Sequence, residues 1–150
     1  MKVVVQRSKY SKVEVNNKLI NEISSGMVIL VGFTEGDDDA KILKMVKKIV
    51  NLRIFDDENG VMNKSILDVG GKILSISQFT LYGDATKGNR PSYIKAMKGD
   101  KAIVLYEEFN AELNKYVKTL PGVFGADMEI LITNSGPVTI LLEIWLTNSK

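Results

Sequence analysis

The chain contains no cysteine and no histidine. Without cysteine there is no disulfide, no thiolate nucleophile, no iron–sulfur cluster and no Cys-bearing zinc site. Without histidine there is no Ser-His-Asp triad, no imidazole general base and none of the usual imidazole ligands for zinc, copper or haem. Any catalysis must come from hydroxyls, amides, carboxylates, lysines, backbone groups or the substrate itself. Arginine is scarce, occurring only at Arg7, Arg53 and Arg90. A bias toward lysine explains the scarcity, yet each arginine offers a rigid bidentate fork that lysine lacks. Neither sign of charge dominates: 20 Lys+Arg stand against 18 Asp+Glu, a net charge of +2. The total therefore gives no strong attraction to a polyanion. No apolar run approaches the ~20 residues of a membrane helix. The polar residues after Met1–Arg7 leave no signal-peptide core. These absences lead us to expect a cytoplasmic protein with no membrane partner, and the lack of cysteine agrees with a reducing compartment.

What is present suits one domain over residues 1–150, with 45% hydrophobic and 25% charged residues. A chain of this size buries roughly 68–70% of its unfolded surface, enough for a core without staples. Lys2–Arg7 reads as a buried strand. Lys12–Val15 and Lys18–Ile23 flank Asn16-Asn17, a tight hairpin signal. Met27–Phe33 is an apolar strand of the kind buried on both faces. Asp37, Asp38 and Asp39 offer N-caps, and the spacing of Ile42, Leu43, Val46, Ile49 and Val50 predicts a helix over Asp39–Asn51. A short strand at Arg53–Phe55 precedes a turn at Asp57–Gly60. Lys72–Phe79 reads as a strand, with Leu74, Ile76 and Gln78 on one side and Ile73, Ser75, Ser77 and Phe79 on the other. Asp100 is a candidate cap for a long helix whose apolar stripe runs from Ala102 to Leu120, ended by Pro121-Gly122. Strands Asp127–Thr133 and Val138–Leu146 close the chain, joined by Asn134-Ser135-Gly136-Pro137. The expected fold is α+β: a single domain of mixed, mostly antiparallel sheet with two main helices.

Each candidate for chemistry has a plain structural alternative. Ser77 and Thr80 are hydroxyls at the end of a central strand, but no base stands at a useful spacing, and serine and threonine in strands are ordinarily structural. The acidic clusters Asp37–Asp39, Asp56–Glu58 and Glu107-Glu108 fit turns and polar helix faces, so no metal site is expected. The densest basic stretch is Lys87-Gly88-Asn89-Arg90, followed by Lys95, Lys98 and Lys101. It reads as solvated surface or as an RNA-backbone contact. Gly136-Pro137 fits an ordinary hairpin turn, or a steric gate made of backbone carbonyls.

Two segments carry a resemblance. Ser77-Gln78-Phe79-Thr80-Leu81 and Asn134-Ser135-Gly136-Pro137-Val138-Thr139 resemble the SQFTL and NxGPVT signatures of the D-aminoacyl-tRNA deacylases. The likeness extends through Val5-Gln6-Arg7, Gly32, Asn51–Phe55, Met62-Asn63, Lys87–Ser92 and Phe124–Met128, essentially the whole chain. It implies a homodimer that hydrolyses the ester between a D-amino acid and the 3′-terminal ribose of tRNA, and that also acts on glycyl-tRNA. It further implies a cis Gly136-Pro137 bond reaching into the other subunit's active site. The Gly136 and Pro137 carbonyls would face the substrate's chiral centre, and Arg7 would hold the motif. Ser77, Gln78, Phe79 and Thr80 become the catalytic strand end. Lys87, Arg90, Lys95, Lys98, Met128 and Asn134 become candidate contacts to substrate or tRNA. No cofactor, metal or DNA partner is implied. The stretch Lys95–Lys101 is more basic than the resemblance leads us to expect.

The chemistry fits those residues. D- and L-residues differ only by the exchange of hydrogen and side chain at one carbon. Telling them apart about 10⁴-fold takes about 5.5 kcal/mol. A hydrophobic pocket gains only ~1–3 kcal/mol per methylene, whereas a fixed wall that admits hydrogen and refuses Cβ can supply more. Glycine, with no Cβ, passes such a wall. Backbone N–H groups, with Phe79 N–H as one donor, can stabilise the oxyanion. The ribose 2′-OH beside the ester can assist or position the attacking water. Two rivals remain: a non-catalytic tRNA-end-binding module of the same fold, and a small-molecule or oligomeric structural domain with a trans Gly136-Pro137 bond and no cleft near Phe79.

Overall fold

The computed structural model describes residues 1–144. Its backbone is one six-stranded sheet carrying two packed helices. The strands are β1 (Lys2–Val15), β2 (Lys18–Ile23), β3 (Gly26–Gly32), β6 (Lys72–Ser77), β7 (Thr119–Pro121) and β8 (Glu129–Glu143). Their order is β2-β1-β3-β6-β7, with β8 also paired to β1. Pairings of β1 with β2, β3 and β8 are antiparallel. Those of β6 with β3 and β7 are parallel. Helices α1 (Asp39–Asn51) and α3 (Gly99–Asn114) are the main ones. The single turn α2 (Ile66–Val69) and the hairpin of β4 (Phe55–Asp56) with β5 (Met62–Lys64) lie between α1 and β6.

The core has two parts because the central strands are apolar on both faces. Met27, Ile29, Val31 and Ile73 meet α1 and α3 on one side. Val28, Leu74 and Ile76 meet Val13, Ile23 and the inner residues of β8 on the other. β1 serves both parts: Val3 and Val5 lie in the first, Val13 in the second. The switch follows from register shifts in the β1–β8 pairing between Gln6 and Ser11, since slipping a strand's register changes the face its residues present.

Several expectations need correction. The polar run Ser8–Ser11 does not interrupt β1, because its backbone is paired through the bulged region and Ser11 Oγ accepts from the Thr133 N–H at 3.1 Å. The last two strands are not a hairpin. Both belong to β8 and both pair with β1, with Asn134–Pro137 bulging between them. Residues 145 and 146 of the expected last strand lie outside the described residues. Lys98, not Asp100, occupies the N-cap of α3, without a side-chain cap. That helix stops at Asn114, whose side chain bonds the Asn110 carbonyl and both the N–H and the carbonyl of Thr119. Thr119–Pro121 is thereby freed to pair with β6. The strand expected to reach Phe79 ends at Ser77, and Phe79–Tyr82 is a 3₁₀ turn. The strand expected at Arg53–Phe55 is Phe55–Asp56. At α1, Asp38 is the cap, accepting from the Lys41 N–H at 3.0 Å.

Candidate active site

β3 and β6 run parallel and end side by side, at Gly32 and just past Ser77. The Gln78 N–H still donates to the Val31 carbonyl at 2.7 Å. The chain then tightens, with Leu81 N–H on the Gln78 carbonyl at 3.3 Å and Gly83 N–H on the Thr80 carbonyl at 2.9 Å. This turn can lie against β3 only because position 32 is glycine: a Cβ there would sit 2.8 Å from the Gln78 carbonyl oxygen. The first N–H groups of a helical turn have no partner inside it. Neither the Phe79 nor the Thr80 N–H has an acceptor among the described residues.

Phe79 borders a cleft of about 660 Å³. Ser77, Gln78 and Phe79 form one wall, Met97, Gly99 and Ala102 another, and Phe124–Met128 the third. Asp127 is the single carboxylate among its lining residues. The Phe79 ring is 57% exposed at the mouth, packed edge-on against Tyr93 with centroids 5.2 Å apart. The Thr80 hydroxyl accepts from the Gln78 side-chain amide. An amide cannot take its proton, so Thr80 has no activating base there.

A second constellation surrounds Gly136-Pro137, whose peptide bond is cis. Gly136 has φ +116°, and a Cβ on it would lie 3.0 Å from an Arg7 guanidinium nitrogen, so glycine is required by both backbone and neighbour. Arg7 donates from Nε to the Ser135 carbonyl at 3.2 Å and from Nη1 to the Ile54 carbonyl at 3.0 Å and Asp56 Oδ1 at 3.2 Å. The Asn134 amide donates to the Arg7 carbonyl at 3.1 Å and the Val138 carbonyl at 2.9 Å, bridging both legs of the bulge. Its Oδ1 accepts from Gln6 and Thr139.

The sequence-derived site residues thus fall in separate places. Ser77, Gln78, Phe79 and Met128 line the cleft, and Thr80 stands beside it in the turn. Gly136, Pro137, Arg7 and Asn134 lie at the opposite end of β3, where Ser8 pairs with Gly26 and Asn134. The length of that strand puts the two groups roughly 20 Å apart. Lys98 directly precedes the cleft residue Gly99. Lys95 pairs with Asp84 at 3.4 Å. Lys87 and Arg90 are exposed on the loop closed by the mutual backbone bonds of Asp84 and Ser92. Asn134, a candidate substrate contact, is built into the frame of the bulge and not into the cleft. Sequence reasoning missed the Tyr93 shelf under Phe79 and the Gln6–Asn134–Thr139 bonds. Tyr93 directly follows the Arg90-Pro91-Ser92 match, and Gln6 and Thr139 lie inside the matching segments Val5–Arg7 and Asn134–Thr139, so position in those segments was the available signal.

Comparison with known proteins gives a consistent result. The family model described as D-Tyr-tRNA(Tyr) deacylase matches residues 4–143. A D-aminoacyl-tRNA deacylase of Clostridium botulinum (strain Langeland) is 51% identical over 144 residues, covering 95% of this chain and 97% of its own length. One from Geobacillus sp. (strain WCH70) is 50% identical and covers 95% of both. A solved structure described as "c-Myc DNA Unwinding Element Binding Protein" aligns with a TM-score of 0.91 at 40% identity, over 96% of this chain and 99% of that one. A "probable eukaryotic D-amino acid tRNA deacylase" shares the fold with a TM-score of 0.81 at 18% identity, over 95% of this chain and 98% of that one. With a matched family model over nearly its full length and relatives half identical to it, the chain belongs to the D-Tyr-tRNA(Tyr) deacylase family, a family of hydrolases.

Proposed function

We propose that the protein hydrolyses the ester joining a D-amino acid to the 3′-terminal ribose of tRNA, and that glycyl-tRNA is also a substrate. The observation that carries this reading is the cleft at the strand end. It has a backbone N–H, that of Phe79, without an acceptor among the described residues, and Asp127 is the one carboxylate among its lining residues. Such a site suits an ester whose carbonyl oxygen is held by the Phe79 N–H. The nucleophilic water is positioned by the substrate's own 2′-OH, with proximity supplying much of the rate. DNA lacks that hydroxyl and is not an expected substrate. Ser77 and Gln78 shape the wall, Met128 supports the bound end of the tRNA, and Thr80 acts through position and not as a nucleophile. The side chains of Lys87, Arg90, Lys95 and Lys98 supply positive charge around the cleft mouth for tRNA phosphates.

Chirality is read by the Gly136 and Pro137 carbonyls, held by Arg7 and Asn134. They lie roughly 20 Å from the cleft of their own chain, so the working enzyme is a homodimer in which each chain's bulge enters the other's cleft. A tRNA substrate places the protein in the cytoplasm. The cleft beside Phe79 is not what the reading as a small-molecule or structural domain expects. A tRNA-end-binding module of the same fold remains the rival. The test is incubation of the purified protein with D-tyrosyl-tRNA: release of D-tyrosine supports the enzyme, and binding without release supports the module.

A further inference from the structure

Arg53 is the arginine to which the cleft and the bulge give no role. It lines a second groove, of about 430 Å³, with Lys44, Lys47, Lys48, Asn51 and Leu52. Lys44, Lys47, Lys48 and Asn51 stand at i, i+3, i+4 and i+7 of α1, which stacks them along one face. All three lysines are exposed. None forms an ion pair among the described residues. Arg53 spends its Nε on the Asn63 carbonyl at 3.0 Å, which fixes the guanidinium beside the helix. Asp68 senses Arg53 only weakly, and its carboxylate is engaged first by the Ser65 N–H. Four like charges therefore share one groove in a chain whose net charge is only +2. Like charges at these spacings repel. The last turn of a helix favours a cation, yet that accounts for Lys48 alone and not for the whole stripe.

The groove's location gives the stripe a partner. Arg53 precedes Ile54, whose carbonyl accepts from the same Arg7 guanidinium that holds Ser135. The groove is thus tied to the Gly136-Pro137 end of the molecule, not to the cleft end.

We propose that this groove binds phosphates of the tRNA whose 3′ end occupies the other subunit's cleft, the cleft that this chain's Gly136-Pro137 bulge enters. The inference rests on the proposed function and on its cross-subunit gate. Arg53 supplies a planar fork for phosphate oxygens and the lysines supply mobile point charges along the backbone. The contact carries no sequence information, so it serves tRNAs alike. It adds affinity for the body of the tRNA without touching the reacting ester.

The experiment compares two substrates, full-length D-tyrosyl-tRNA and D-tyrosyl-adenosine, with the unmodified protein and a Lys44→Ala, Lys47→Ala, Lys48→Ala variant. For the tRNA, KM is expected to rise about tenfold or more at about 0.1 M salt, and the log–log salt slope to fall by about one for each phosphate no longer engaged. For the adenosine ester, kcat and KM are expected to stay the same. Equal kinetics of variant and parent on the tRNA overturn the groove. An unmodified protein that releases nothing from either substrate overturns the proposed function itself. Mixed dimers assign the subunit, using Gly99→Trp to fill one cleft, because only Phe124 stands within 4 Å of a Cβ at that position. When the filled-cleft chain also carries the lysine changes and its partner is unmodified, KM for the tRNA is expected to rise. When the lysine changes sit on the chain with the open cleft, KM is expected to remain normal. The reverse pattern overturns the cross-subunit assignment.

Discussion

The Nε of Arg7 donates to the carbonyl oxygen of Ser135 at 3.2 Å, and that bond ties β1 to the residue preceding Gly136-Pro137. The same guanidinium reaches the Ile54 carbonyl and Asp56. One fork therefore fixes the bulge of β8 against the 53–56 segment. A lysine could make at most a point contact there.

Arg7→Ala removes this clamp. Hydrogen bonds to a charged group contribute about 1.5–3 kcal/mol each. If only one of them is felt at the gate, discrimination between D- and L-tyrosyl-tRNA is expected to fall about 10- to 100-fold. The measurement is the ratio of kcat/KM for the two substrates, alongside Tm. An unchanged ratio in a folded variant would show that the bulge needs no clamp.

Gly32→Ala places a Cβ 2.8 Å from the Gln78 carbonyl oxygen and 3.2 Å from the Leu81 Cβ. Backbone, not a flexible side chain, has to yield. The expected cost is about 1–3 kcal/mol of stability. The Phe79 N–H is displaced with the turn, so turnover is expected to drop more than substrate binding. Denaturant unfolding and steady-state kinetics check the two parts separately.

Thr80→Ala removes a hydroxyl whose neighbour is the Gln78 amide. Turnover is expected to stay within about tenfold of the parent, because the nucleophile in the proposed reaction is water. A tRNA ending in 2′-deoxyadenosine is expected to be nearly inert, since effective molarities of well-placed groups are large. Loss of turnover in Thr80→Ala with tRNA binding intact would instead make Thr80 the nucleophile.

Glu108 on α3 faces Asp39 at the start of α1, and the hydrogen bond between the two carboxyls, helped by burial, raises the Glu108 pKa. A carboxyl with a raised folded-state pKa holds its proton more tightly in the folded chain. Its contribution to stability is complete below the unfolded pKa and is lost as pH rises through the folded one. Above its raised pKa the Glu108 carboxylate is repelled by the neighbouring Asp39. Glu108→Gln is expected to raise Tm by about one or two degrees there, with the gain vanishing toward pH 4. Thermal unfolding across that range checks the sign.

The parts of the fold legible in the sequence are those where apolar spacing decides structure. α1 follows from Ile42, Val46, Ile49 and Val50, and β3 from the run Met27–Val31. What was not legible depends on contacts far along the chain. Ser8–Ser11 looks like a break until β8 is laid beside it. Asn134–Pro137 looks like a hairpin turn because local sequence cannot reveal that both flanking segments pair with β1. The stop at Asn114 depends on Thr119 being drawn to β6. For the site, Phe79 and Gly136-Pro137 stood out through their motifs, whereas the distance between them is a property of the folded sheet alone.

The most direct measurement is the rate of ester hydrolysis by the purified protein on D-tyrosyl-tRNA, L-tyrosyl-tRNA and glycyl-tRNA under one set of conditions. The expected result is rapid release from the D- and glycyl esters and release from the L-ester slower by about 10⁴-fold. Equal rates on the D- and L-esters, or no release from the D-ester by folded protein that binds it, would contradict a chirality gate built from the Gly136 and Pro137 carbonyls.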